Sequence, residues 1–404
     1  MKAKMPGLLI VVPRLNLRRV WLVVIMGVLG YVAGAQALAA QATVSQHGPV
    51  TALTVPSTGA PVGAGIDFVN AQPMRLPSAA GRSAAEAQQD LINALTSGVF
   101  LGEPGHSPGG QGNGTMNLVK LGVPAWANND DVSPQEFGTN NHPFSTAQAD
   151  LDSNATNTSY PYRAAGKLFF SVGTNTFVCS ASLVTRGVVV TAAHCVANFG
   201  QRQFYSNWMF VPGYRNGDAP FGVWTVNIAY VLTAYFDGTD PCAQAGVICR
   251  DDVAVLLLNA ADDGSYPGNS TGWYGFGFNG YGFTTGGLTH ITQIGYPVCL
   301  DNGAFMERND SSGNVTASLS NNTIIGSLMC GGSSGGPWLA NFGLRPRLTG
   351  TSSGSYPDPN IVVGVTSWGY NDQAVKEQGA SPFLNDNVQL LVTTACSAGP
   401  DACS

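Results

Sequence analysis

Val188-Val189-Val190-Thr191-Ala192-Ala193-His194-Cys195 (VVVTAAHC) sets an imidazole at the end of a short β-branched run, directly before a cysteine. Branched side chains suit a pleated surface, so the valines predict a strand. The same signature recurs on both sides of this stretch. Residues 167–172 (KLFFSV), Phe177-Val178, 253–258, 291–294 and 361–365 are rich in β-branched, aromatic or other apolar residues, and turn residues bound each of them. Many short strands at this spacing predict an all-β barrel or sandwich. Residues 385–394 (NDNVQLLVTT) predict a closing helix, and the Gly/aromatic run 274–283 (YGFGFNGYGF) predicts a wide loop.

Composition agrees with many strands and polar turns. Charged residues are 10% of the 404, and there are 51 Gly and 24 Pro. That charge is well under the roughly 25% of ordinary soluble domains, which argues against long helices and coiled coils. The 44% hydrophobic fraction is enough for a sizeable core. The chain is long enough for one enzyme domain with appendages.

The first forty residues read differently. Lys2, Lys4, Arg14, Arg18 and Arg19 precede an apolar run over 20–32, and the small residues AQALAA follow at 35–40. A basic leader, a short apolar stretch and an Ala-x-Ala ending predict a secretory signal peptide over 1–40. Gly27, Gly30 and Gly34 weaken the alternative of a membrane anchor, which needs about 20 strongly apolar residues. Removing those five bases from 18 Lys+Arg leaves 13 against 24 Asp+Glu. An acidic protein of that kind repels phosphate backbones, so nucleic acid is excluded as a partner. No later segment is suited to a membrane.

Eight cysteines, Cys179, Cys195, Cys242, Cys249, Cys299, Cys330, Cys396 and Cys403, make an even number with no CxxC pair. In an exported chain that predicts disulfides and not a zinc site. Residues 41–158 hold no cysteine and few aromatics, with a glycine-rich stretch at 102–114 (GEPGHSPGGQGNG). Within them 83–95 (SAAEAQQDLINAL) predicts a helix capped by Ser83 with Glu86 three residues on. The segment reads as a propeptide or loosely structured extension, with a small binding module as the alternative. The remaining domain is 159–404.

Hydrolysing an amide with a hydroxyl takes a base to remove its proton and donors for the oxyanion. Gly331-Gly332-Ser333-Ser334-Gly335-Gly336-Pro337 offers a serine on a glycine turn whose amides can point inward together. Of five histidines, His47, His106 and His142 lie in the N-terminal half, and His290 sits in a polar strand entry. His194 is the candidate base. A disulfide at Cys195 would pin its backbone. Arg250-Asp251-Asp252-Val253-Ala254-Val255-Leu256 carries acids straight into an apolar strand. A carboxylate entering a core needs a partner, and an imidazole N–H would satisfy it. Asp252 is the candidate, with Asp251 as the alternative.

TAAHC, DVAVL, GSSGGP and then Thr366-Ser367-Trp368-Gly369, in that order, resemble the chymotrypsin-like (trypsin-like) serine proteases over about 160–395. Cys179-Ser180-Ala181-Ser182-Leu183 and Gly295-Tyr296-Pro297 resemble the bacterial-type branch that includes glutamyl endopeptidases. The resemblance implies two six-stranded antiparallel β-barrels with a short C-terminal helix. It implies His194 as general base and acid, Asp252 as orienting carboxylate and Ser334 as nucleophile, with the amides of Gly332 and Ser334 as oxyanion hole. Ser367 and Gly369 would bind the substrate backbone as an antiparallel strand, and Trp368 would wall the pocket. Short loops together with the resemblance imply disulfides 179–195, 242–249, 299–330 and 396–403. No metal or other cofactor is called for, and the partner is a protein or peptide substrate. The expected protein is a secreted monomeric serine endopeptidase made as a precursor, without stable membrane association.

Two departures bear on mechanism. Ser333 stands where the trypsin-type pattern has an acid that pairs with a freed amino terminus, so activation needs another route. Leu328 and Met329 stand where trypsin-like members have the acid that reads Lys or Arg, and Thr366 replaces the histidine of the glutamyl branch. An apolar floor cannot stabilise a buried cation, which leaves an apolar or aromatic side chain before the scissile bond. Two alternatives for the whole protein stay open: an inactive relative that binds peptides in the same cleft, and an esterase using the same three residues.

Overall fold

The computed structural model describes residues 41–56, 63–81, 83–96, 102–122, 142–149, 155–345, 356–372 and 374–404. The expected signal peptide lies outside the described residues. From residue 40 onward the chain forms one compact unit.

Six strands close the first barrel: β1 (Ala165–Val172), β2 (Asn175–Leu183), β3 (Val188–Thr191), β4 (Ser206–Pro212), β5 (Trp224–Leu232) and β6 (Ala254–Leu258). The antiparallel path runs β5-β4-β1-β2-β3-β6, and β6 returns to β5, so no edge is left open along the ring. The apolar runs read in the sequence are buried on both faces of these strands, with Leu168, Phe170, Val189, Val190, Val255 and Leu256 fully buried.

The second barrel comprises β7 (Leu288–Gly295), β8 (Glu307–Thr316), β9 (Asn322–Gly326), β10 (Pro337–Ala340), β11 and β12 (Glu377–Ala380). Strand β11 has two parts, Ile361–Val365 and Trp368–Tyr370, interrupted by Thr366-Ser367. Its first part bonds β10 and its second bonds β12, so the path β10-β7-β8-β9-β12 begins and ends on one strand. The closing segment begins with a wide π turn at Asn385–Gln389 and continues as the helix Leu390–Ala398, which buries Leu391, Val392 and Ala395. The two elements together extend the expected 385–394 helix by four residues.

The run 274–283 departs from the loop expected of it. Gly275–Phe278 is a strand between the first part of β11 and Gly105–Ser107. A Cβ on Gly275 would lie 2.3 Å from both Ile361 Cδ1 and Ser107 O, so glycine here permits close sheet packing.

Described parts of the 41–158 segment lie on both barrels. The hairpin Thr43–His47 and Val50–Thr54 pairs with β5. Phe144–Gln148 pairs with β8 over five residues. Beside that strand, His142 is buried between Glu377, at 3.0 Å from Nδ1, and Asn314, at 2.6 Å from Nε2. The helix Ala84–Thr96 has the expected start, with the Ser83 amide and hydroxyl donating to Glu86 at 2.8 and 2.7 Å.

Lys167 joins the barrels from within. It is 1% exposed, its Nζ donates to Gly303 O at 2.8 Å, and it lies 4.6 Å from the Tyr214 ring centroid. Burial lowers its pKa from 10.5 to about 7. Between those values the unfolded chain binds a proton that the native state does not, so stability rises with pH. Relative to Lys167→Met, the wild-type protein is expected to gain stability as pH rises from about 7 toward 10, by at most about 1.4 kcal/mol per pH unit. Below pH 7 the difference levels off. Urea unfolding of both proteins across that range measures it, and a flat difference would count against a neutral native amine.

Candidate active site

The glycine turn that carries Ser334 follows β9 and leads into β10. Gly332 has φ 93° and Gly335 φ 77°, the left-handed region. A Cβ on Gly335 would lie 2.0 Å from Thr191 Oγ1 and 2.8 Å from Ala192 N. Only glycine lets this turn approach the end of β3, the strand that leads into His194. Ser180 of β2 fastens the turn from the first barrel. Its amide donates to Ser334 O at 2.7 Å, and its hydroxyl donates to Gly332 O at 2.8 Å. That hydroxyl also accepts from the Tyr296 amide at 2.9 Å.

His194 lies in a short helical turn after β3 and is 6% exposed. The Cys179–Cys195 disulfide ties that turn to β2. Asp252, just ahead of β6, takes three donors. Its Oδ1 accepts the His194 backbone amide at 2.9 Å. Its Oδ2 lies 2.8 Å from His194 Nδ1 and accepts the Ser367 hydroxyl at 2.5 Å. An ionised carboxylate can only accept, so Nδ1 carries the proton and Nε2 keeps a lone pair. Both His194 Nε2 and Ser334 Oγ are buried without a hydrogen-bond partner among the described residues.

Asp251 turns elsewhere. Its Oδ1 accepts from Asn387 Nδ2 at 3.2 Å, and its amide donates to Asp240 Oδ2 at 2.8 Å. Burial first, and then the charge of Asp251, push Asp240 up to about 8. A protonated Asp240 at neutral pH spares Asp252 a further negative neighbour.

Ser333 is held without any ion pair. Its hydroxyl donates to Cys330 O at 2.7 Å and accepts from Gln378 Nε2 at 3.4 Å. The turn is thus fixed by neutral groups where the trypsin-type pattern uses a salt bridge.

Beside the turn lies a cavity of about 540 Å³, lined by Val298, Leu328, Met329, Gly331, Gly369 and Gln378 among others. Met329 is buried and Leu328 half-buried. Beneath them Gln378 Nε2 donates to Met329 O at 2.8 Å, and Ser327 Oγ donates to Gln293 Oε1 at 2.8 Å. Thr366 Oγ1 accepts from Gln293 Nε2 at 2.8 Å and from Trp338 Nε1 at 2.9 Å. Trp368 does not line this cavity, contrary to the role expected of it. Its indole is fully buried, donates to Asn322 Oδ1 at 2.8 Å and covers Gly379, where a Cβ would come within 2.1 Å. The hydroxyl of Ser367 is likewise turned to Asp252 and away from the cavity. Its binding of Asp252 was missed in the sequence, which carries no signal for it beyond position.

All eight cysteines are paired, as 179–195, 242–249, 299–330 and 396–403. Among the described residues two groups could offer three metal ligands, Cys179 with His194 and Cys195, and Asp240 with Cys242 and Cys249. Both contain a disulfide, and its sulfurs are not the thiolates a metal needs. His290 is exposed on β7.

A sequence model of the family described as Trypsin matches residues 152–383, more than half of the chain. The extracellular metalloprotease of Bacillus subtilis (strain 168) is 30% identical over 122 residues, 30% of this chain and 34% of that protein. The chain therefore spans about a third of the length of the curated relative it matches. Among solved structures, the protease Anisep from Arthrobacter nicotinovorans is similar at 26% identity and TM-score 0.46, over 58% of this chain and 96% of that one. A thermostable serine protease, AL20, from an extremophilic microorganism is similar at 24% identity and TM-score 0.47, over 59% and 98%. A Glu endopeptidase is similar at 18% identity and TM-score 0.44, over 66% and 100%.

Proposed function

This chain belongs to the trypsin family of serine endopeptidases, and from that premise we propose that it cleaves peptide bonds with Ser334, His194 and Asp252. One observation carries the reading. Asp252 binds the backbone amide and Nδ1 of His194 together, which fixes the ring and leaves Nε2 as a base, while Ser334 Oγ and His194 Nε2 are both buried with no hydrogen-bond partner among the described residues.

In the reaction Ser334 Oγ attacks the substrate carbonyl as its proton passes to Nε2. The developing oxyanion is held by the amides of Gly332 and Ser334. Collapse breaks the C–N bond, and the imidazolium returns the proton to the leaving amine. Water then repeats the sequence on the acyl-enzyme and frees Ser334. The extended substrate would lie antiparallel to the second part of β11, bonded to the backbone of Ser367 and Gly369. The side chain before the scissile bond would enter the cavity walled by Leu328 and Met329, which favours an apolar or aromatic group.

Four disulfides support an exported enzyme, and among the described residues no helix is long and apolar enough to cross a membrane. The Bacillus relative is named as extracellular, in keeping with export. We read residues 1–40 as its signal peptide and the segment from 41 to about 158 as its precursor extension.

A fluorophosphonate probe is expected to label the protein on Ser334, with labelling lost in Ser334→Ala. Turnover of a protein substrate should accompany labelling. Labelling with turnover of short-chain esters alone would make the protein an esterase. Retained labelling in Ser334→Ala would remove Ser334 as the nucleophile.

A further inference from the structure

We propose that the stretch Ala71–Ala79 is an inhibitor of this site, held across the cleft against the direction of a substrate, and that it acts on the enzyme as a free peptide as well. The inference rests on the serine endopeptidase reading. It assigns a binding activity to a segment that the sequence marks by no motif.

The backbone of this stretch is bonded to both flanks of the cleft and to the nucleophile turn between them. Gln72–Pro73 pairs with Phe177 and Val178 of β2, and the Met74 amide donates to Val178 O at 2.9 Å. The Met74 carbonyl accepts from the Gly332 amide at 3.3 Å, the donor assigned to the oxyanion. Gly369 then donates to Pro77 O and Asn371 to Ala79 O, each at 2.9 Å. Leu76 lies against Gly369, where a Cβ would come within 2.7 Å of its Cδ2. Met74 and Leu76 form part of the cavity wall.

Direction is the decisive feature. Ser78–Ala79 runs parallel to Trp368–Tyr370, whereas a substrate added as the proposed reaction requires would run antiparallel. In the proposed reaction a substrate's acyl half would lie along β11, so its departing amine would leave across the cleft toward β2. There, Cys179 follows Val178 and is bonded to Cys195, the neighbour of His194. In this stretch the order is inverted. Residues before the Met74 carbonyl lie along β2, and the Arg75 nitrogen heads for β11. Attack on Met74 would therefore leave its amine on the flank away from the proton donor. Pro73 and Pro77 lock their own φ at about −65° by their rings, which lowers the entropy lost on docking.

The full chain, Leu76→Glu and Met74→Pro are compared for their rate of labelling by diisopropyl fluorophosphonate. The first substitution puts a charge on Gly369, and the second removes the amide that binds Val178. Both are expected to label faster than the parent, by about tenfold or more. A synthetic peptide of residues 71–79 (AQPMRLPSA), added to Leu76→Glu, should restore slow labelling and be recovered intact by mass spectrometry. Equal rates in parent and both variants, no effect of the peptide, or its scission between Met74 and Arg75 would each overturn the inference. Failure of all three proteins to label would overturn the Ser334 reading, and this inference with it.

Discussion

Asp252→Asn is expected to lower kcat/KM about 10⁴-fold while leaving the fold in place. The carboxylate now serves three donors: the His194 amide, His194 Nδ1 and the Ser367 hydroxyl. An asparagine of the same shape has one acceptor oxygen and brings an N–H₂ of its own. If its oxygen stays with the backbone amide, the N–H₂ meets Nδ1 and forces that nitrogen to accept. The ring proton then moves to Nε2, and the base for Ser334 is gone. Because the loss is a tautomer and not a hole, thermal unfolding should shift little beside the change in rate. Activity should recover in part as pH rises, where hydroxide can replace the base. Kinetics on a protein substrate, with a melting curve as control, decide it. Retention of activity within about tenfold of wild type would mean that Asp252 has only a structural part.

The legibility of this site in the sequence was uneven, for physical reasons. Strands such as 188–191 and 254–258 could be read because their side chains are buried and almost all apolar, so composition and structure obey one constraint. The glycines at 332 and 335 could be read because left-handed backbone and close approach exclude a Cβ. Asp252 stood out as a charge entering a core. What could not be read depends on partners that lie far off in the chain. The run 274–283 looked like a loop because its glycines carry no strand preference, yet Gly275 is there to admit Ser107 and Ile361. His142 looked idle, since nothing nearby in sequence announces Glu377. Residues 71–79 contain two prolines and no periodicity, and they are extended only because two strand edges and the Gly332 amide receive them. Trp368 was misplaced for a related reason. Its neighbour Gly369 lines the cavity, and the alternation of a strand sends the adjoining indole inward.

Substrates with Phe or Leu before the scissile bond are expected to exceed those with Lys or Arg in kcat/KM by about 10³-fold. The cavity wall offers Leu328, Met329 and Val298, while two of its polar side chains, Gln378 and Ser327, already bind neighbouring groups. Gln378 gives both its amide hydrogens to Met329 O and Ser333 Oγ, and Ser327 gives its proton to Gln293. The carboxylate nearby, Glu377, is buried against His142, so it is not offered to an incoming cation. Lys376, half-buried on the same wall, adds repulsion. A guanidinium entering here would lose its water and gain no counterion, whereas an aromatic ring loses only unfavourable hydration. That same lysine makes the measurement two-sided, because a strong preference for Glu would mean that Lys376 and not the apolar wall sets the choice. A peptide library varied at that one position, read by mass spectrometry with Lys376→Met alongside, distinguishes these outcomes. An aromatic preference unmoved by the substitution supports the apolar wall, and an acidic preference abolished by it would discard the wall as the determinant.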